Sequence, residues 1–243
     1  TPLYSSAASD VYKRQLYDRL CGVNDYTKGY LDAIMKVQRS IYGYFFLEDM
    51  LKGDVLDEMM RVCPVKPNED GVETVQYVYA NYFLARRMAT DERTDILSRV
   101  GRELGKENKI NLYTPDASVR FINVNNKGTV DYYNEMPYVF RNSKINLNIT
   151  LRSIKSGIPL RCMDICGAGG FLLSNYQADL YDVFVPGEDM VIYDSIDDLM
   201  NKCKYYLSHD AERRQIAQNG FGKIEEKHTY DVRFEEIFNR VFN

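Results

Sequence analysis

From Lys109 onward short apolar runs appear between the stretches that repeat apolar residues every three or four positions. Ile110-Asn111-Leu112-Tyr113 is closed by Thr114-Pro115-Asp116, and Lys144 to Ile149 alternates apolar with polar residues. Phe171-Leu172-Leu173 and Met190 to Tyr193 are compact apolar runs. Each has the length and the turn-forming borders of a strand. Helical stretches separate them. Arg161 to Cys166 reads as one or two helical turns after the turn Gly157-Ile158-Pro159. Ser195 opens a long helix with Ile196, Leu199, Met200, Cys203, Tyr206 and Leu207 on its apolar side. Asp198 completes a capping box there, with Asp in place of Glu. Thr229 caps a last helix carrying Phe234, Ile237, Phe238 and Val241. Short strands alternating with helices predict an α/β fold with a Rossmann-like parallel sheet, because parallel strands need crossover connections. Ligands in such sheets sit at the carboxyl ends of strands, near helix N-termini.

Upstream the period is helical. Leu31, Ile34, Val37, Ile41, Tyr44 and Phe45 share one helix face, and Val75, Val78, Tyr82 and Phe83 mark a second helix. Asp91 is expected to cap a third, with Ile96, Leu97, Val100 and Leu104, and Asp91 to Asp95 reads as its solvated start. Two prolines and a glycine make Cys63 to Gly71 a loop. The chain therefore reads as a helical segment over 16–106, a connector or the end of a further domain, followed by a Rossmann-like domain over 107–243. Residues 1–15 stand apart. Ser5 to Gln15, SSAASDVYKRQ, has the form of a translated sequencing-library adapter. They are set aside as non-native, and the natural protein is expected to continue upstream.

Composition excludes several classes. The net charge of −4 offers no basic field for nucleic acid. No apolar run approaches the ~20 residues of a transmembrane segment, and no signal peptide is recognised. Five cysteines without a CxxC pair favour reduced thiols and a cytoplasmic location. Cys162 and Cys166 lie one helical turn apart without a third ligand nearby, so they read as core residues and no metal site is expected. His209 and His228 read as helix-end residues, and the tyrosines as core and rim. No GxGxxG follows a strand with an acid about 20 residues on, which argues against a dehydrogenase.

The residues Arg161 to Gly170 carry the candidate chemistry. A carboxylate at Asp164 can accept two hydroxyl hydrogen bonds, as a ribose offers; it equally suits the first turn of a helix through the macrodipole. Arg161, three positions earlier, would share its face and suits a diphosphate, or an ion pair with Asp164. Gly167, Ala168, Gly169 and Gly170 form a backbone cradle for an anion, a helix C-cap, or both at once. Asn148, with Asn146, points into a ligand cleft or out to solvent.

Three motifs in order, GIPLRxxDIxGAGG (Gly157 to Gly170), FxPGED (Phe184 to Asp189) and HTYxxR (His228 to Arg233), resemble the C-terminal domain of bacterial GT-B glycosyltransferases. More closely, the stretch from about Asn108 to Asn243 is similar to the glycosyltransferase-like domain of spore-coat maturation proteins. The resemblance implies a nucleotide-sugar donor in this domain. It implies an acceptor (glycan, protein or small molecule) and the catalytic base in a missing N-terminal domain, with no cofactor and no metal. Related retaining enzymes carry two glutamates with seven residues between them. The second, which binds ribose hydroxyls, falls on Asp164, and the first falls on Ser156, so the retaining mechanism is not implied. The resemblance thus implies a transferase, of hexosyltransferase type, that is inactive as this fragment alone. A non-catalytic nucleotide- or glycan-binding module is the alternative.

Overall fold

The computed structural model describes residues 3–6, 16–68 and 71–242. Residues 7–15, which hold most of the adapter-like stretch, lie outside the described residues. The chain divides into two compact units. One is Ala7–Arg99 with Thr150–Lys155, and the other is Thr1–Ser6, Val100–Ile149 and Ser156–Asn243.

The first unit is helical. α1 (Asp25–Arg39) is capped by Asn24, whose side chain accepts from the Thr27 amide at 2.8 Å. Asp25 at its start and Lys36 and Arg39 at its end complement the macrodipole. The helix stops earlier than the apolar period implies. Gly43 takes a left-handed φ of +77°, so Ile41 and Tyr44 are exposed and only Phe45 returns to the core. α2 (Leu47–Met50) and α3 (Gly53–Val62) follow. α4 (Val75–Val78), capped by Thr74, runs through a π-helical turn at Tyr79–Leu84 into α5 (Ala85–Leu104). The expected second and third helices are therefore one run. Asp91 lies inside it, pairing with Arg87 at 2.9 Å, because no glycine or proline interrupts residues 84–90. Leu31, Leu47, Leu51, Met59, Tyr79 and Leu84 pack as the core of this unit.

A buried ion pair, with the more exposed pair Lys155–Glu48, pins Thr150–Lys155 to these helices. Arg152 and Glu92 are both buried, 2.5 Å apart, and the guanidinium lies over the Tyr42 ring and donates to the Arg39 carbonyl. Glu92 is thus not part of a solvated helix start, and removing either partner would strand a buried charge.

The second unit holds a six-stranded parallel sheet. Its elements are β1 (Leu3–Ser6), β2 (Ile110–Tyr113), β3 (Val124–Asn126), α6 (Met136–Asn142), β4 (Ile145–Asn148), α7 (Leu160–Gly167) and β5 (Leu172–Asn175). α8 (Leu180–Val183), β6 (Val191–Tyr193), α9 (Ile196–Ser208), α10 (Asp210–Lys227) and α11 (Tyr230–Phe242) complete it. The strand order is β3-β2-β1-β4-β5-β6, with Leu3 opposite Ile145, Leu147 opposite Leu173 and Leu173 opposite Val191. Residues 3–6, set aside in the sequence reading, form the strand between β2 and β4. The order reverses between β1 and β4, and the carboxyl ends of those two strands flank the switch point.

Cys162, Ile165 and Cys166 on α7 pack with Leu172, Leu180, Phe184 and Met190 to form the core on one side of the sheet. Ser195 caps α9 by accepting from the Asp198 amide at 3.1 Å. The Asp198 carboxylate reaches back to the Asp194 amide at 3.2 Å, one residue outside the usual capping box. Thr229 caps α11, but Phe234, Ile237, Phe238 and Val241 stay more than half exposed, so its apolar face is not part of the sheet core.

Candidate functional site

α7 joins two parallel strands, so it starts near the carboxyl edge of the sheet and ends near the amino edge. Its start is built with care. Gly157 adopts φ +92° and donates its amide to the Asp179 carboxylate at 2.5 Å, which ties the loop after β4 to the loop after β5. Pro159 then presets the first helical turn. Arg161 and Asp164 follow three positions apart and lie on one side of the helix. The Arg161 guanidinium lies 5.4 Å from the centre of the Phe140 ring. Asp164 accepts from the Tyr132 hydroxyl at 2.5 Å, and that bond, more than burial, pushes the Tyr132 pKa up to about 12.

The far end of α7 holds the glycine run. The amides of Ala168, Gly169 and Gly170 donate to the carbonyls of Asp164, Cys166 and Ile165 at 3.0, 2.9 and 2.8 Å. Gly169 has φ +75°, as a helix C-cap requires. A Cβ at Gly170 would lie 2.8 Å from the Asn146 amide nitrogen and 2.9 Å from the Phe140 carbonyl. These three amides are spent on the helix terminus, at the other end of α7 from Arg161. The geometry supports the C-cap with close packing, and the turn follows directly on Asp164, whose carbonyl accepts from the Ala168 amide.

Asn148 ends β4 at the carboxyl edge. Its side chain is buried and donates to Ser174 Oγ on β5 at 2.9 Å. Asn146 is also buried and donates to the carbonyls of Phe140 and Phe171 at 3.0 and 3.2 Å. Neither faces solvent. A central parallel strand is covered on both faces, so alternation along it does not mark an exposed side.

The two other motifs hold the scaffold. In Phe184 to Asp189, the Asp189 carboxylate accepts from the Val185 amide at 2.8 Å and pairs with Lys223 on α10. In His228 to Arg233, Thr229 caps α11, while Arg233 bonds His228 Nδ1 at 2.5 Å and Glu236 at 2.7 Å. A cleft of about 430 Å³ lies beside them, lined by Phe184, Lys223, His228, Arg233 and Glu236 among others. Neither Arg161 nor Asp164 reaches it.

A profile of the family described as "Glycosyl transferase-like" matches residues 86–239, more than half of the chain. The chain belongs to this family. No curated protein matches it. Among solved structures it is similar to that of TarM, at 15% identity and a TM-score of 0.48, covering 61% of this chain and 31% of TarM. It is also similar to the GtfA/B complex, at 15% identity and a TM-score of 0.44, covering 62% of this chain and 33% of that one. The chain spans about a third of the length of each. For this glycosyl transferase-like domain no group of three or more His, Cys, Asp or Glu fit to hold a metal ion occurs among the described residues. No described helix is long and apolar enough to cross a membrane.

Sequence reasoning missed Tyr132. It sits in Asp131-Tyr132-Tyr133-Asn134-Glu135, directly before α6. An acid opening a short polar turn before a proline-bearing helix start is the signal that could have found it.

Proposed function

We propose that this chain is the donor-binding part of a cytoplasmic, metal-independent bacterial glycosyltransferase of GT-B type. The whole enzyme moves a sugar, of hexose type, from a nucleoside diphosphate to an acceptor held by a further domain. The observation that carries the reading is the pair Arg161 and Asp164 within the first five residues of α7, the helix that follows the carboxyl end of β4 in a parallel sheet with Rossmann strand order. Asp164 accepts ribose hydroxyls. During transfer the bond between the anomeric carbon and the diphosphate oxygen breaks, and its electron pair leaves with the diphosphate. Arg161 and the positive end of α7 face the charge that grows there, a preorganised electrostatic role. Asn148 supports this edge from beneath by tying β4 to β5. Gly167, Ala168, Gly169 and Gly170 are left out of the ligand contacts. No side chain of this chain is assigned as the catalytic base, and the fragment alone is expected to lack transfer activity.

Thermal denaturation of the chain with ADP, GDP, UDP, CDP and dTDP tests the reading. A ligand at ~100 times its Kd stabilises the folded state by ~2.7 kcal/mol. The expected result is a rise in Tm with at least one diphosphate that disappears in Asp164→Ala. A rise that persists unchanged in Asp164→Ala would remove the carboxylate from the site.

A further inference from the structure

Tyr132 and Tyr133 lie outside the apolar core of the sheet unit. The two residues are 43% and 83% exposed, yet the turn that carries them is firmly built. The Asp131 carboxylate accepts from the amides of Tyr133 and Asn134 at 3.1 and 2.6 Å. The Asp131 carbonyl accepts from the amides of Glu135 and Met136 at 3.2 and 2.9 Å. The Asp131 amide donates to the Glu135 carboxylate at 3.0 Å. Met136 and Phe140 then anchor α6 in the core. The two rings meet edge to face, 5.2 Å apart at 90°, so one holds the other in place. From this rigid turn the Tyr132 hydroxyl reaches across to α7 and bonds one Asp164 oxygen, Oδ2, at 2.5 Å. A carboxylate has lone pairs on both oxygens, so Oδ1 remains to accept from a ligand.

We propose that Tyr132 and Tyr133 form the nucleoside wall of the donor site: Tyr132 is a positioning residue that holds Asp164 in one rotamer, and the exposed Tyr133 ring stacks on the nucleobase. This inference rests on the donor-site reading above. It names the ligand's recognised part as a ribonucleoside with both ribose hydroxyls present. Stacking accepts any base, because every base has a π-face. The wall therefore contributes affinity and leaves the choice of base to other groups.

Titration calorimetry of the 243-residue chain with ADP, GDP, UDP and CDP selects the tightest diphosphate, and that nucleotide, its 2′,3′-dideoxy analogue and inorganic pyrophosphate serve as probes. Tyr133→Leu is expected to weaken the nucleotide about tenfold, in the range seen for loss of one base–aromatic stack, and to leave pyrophosphate unchanged. Tyr132→Phe removes only the hydroxyl. It is expected to weaken the ribonucleotide several-fold and leave the dideoxy analogue unchanged, since that analogue has no hydroxyl for Asp164 to accept. Both side chains are solvent-accessible, and unchanged far-ultraviolet circular dichroism and Tm confirm that the variants fold. Binding lost in Asp164→Ala but intact in both tyrosine variants would overturn the wall and keep the donor site. If no nucleoside diphosphate binds the wild-type chain, both readings fall together.

Discussion

The two ends of α7 use their polar groups differently. At its end, three successive amides are consumed by the helix's own carbonyls, and Gly170 is pressed against Asn146 and Phe140. In its first five residues, the Arg161 guanidinium lies near the Phe140 ring and the half-buried Asp164 carboxylate accepts from the Tyr132 hydroxyl through one oxygen. Glycine packs one end tightly, and on the turn before it the second Asp164 oxygen can still accept a hydrogen bond. Glycine-rich stretches invite a phosphate-binding reading, yet the amides must point away from the protein for that chemistry. Here they are already paired.

The contrast can be broken at either end. The largest effect is expected from Gly170→Ala. Its methyl would meet backbone and a buried amide, so the folded state should lose about 1–3 kcal/mol in urea denaturation, the cost of overpacking a filled site. Nucleotide affinity of the folded protein should not change; a specific loss of affinity with full stability would return the glycines to the site. Asp164→Ala is expected to do the reverse. Affinity for a nucleoside diphosphate should fall tenfold or more, equivalent to ~1.4 kcal/mol, while stability stays within ~0.5 kcal/mol of the parent. Gly169→Ala places a methyl on a left-handed residue and should cost about 1 kcal/mol by urea denaturation, without a change in binding.

The smallest effect concerns pH. Burial first, and then the charge of Arg233, hold His228 below its ordinary 6.5. The folded imidazole therefore resists a proton that the unfolded chain accepts near pH 6.5. The stability from this residue is complete above that pH and falls as the pH drops below it. His228→Gln should flatten this part of the pH profile of Tm, and an unaltered profile would exclude the histidine as its source.

Much of the fold could be read from the residues. Ile110 to Tyr113, Lys144 to Ile149 and Met190 to Tyr193 carry apolar density that only strands of a covered sheet need, and Ser195 and Thr229 cap the helices that follow. Other elements gave little local signal. Val124-Asn125-Asn126 is an edge strand held by side-chain bonds, Asn125 to the Ile110 carbonyl at 3.1 Å and Asn126 to that of Asp116 at 2.9 Å. Asparagine has low strand propensity, so tertiary partners decide its state. Asp91 looks like a cap by composition, but a cap needs a break before it, and Leu84 to Thr90 contains none. At the site, Arg161 and Asp164 are visible because one helix brings them together. Tyr132 is not, because 32 positions of chain separate it from Asp164 and only the fold closes that distance.

The burial of the thiols has a practical side. Cys63, Cys162, Cys166 and Cys203 are enclosed, while Cys21 in the helical unit is exposed. Desolvation pushes Cys162 and Cys203 up to about 12 and Cys166 well above its ordinary value. Alkylating reagents react with thiolate. A maleimide dye added to the folded chain therefore marks Cys21 and spares the sheet. It gives fluorescence experiments a single reporter remote in sequence from Asp164, with no cysteine to remove beforehand.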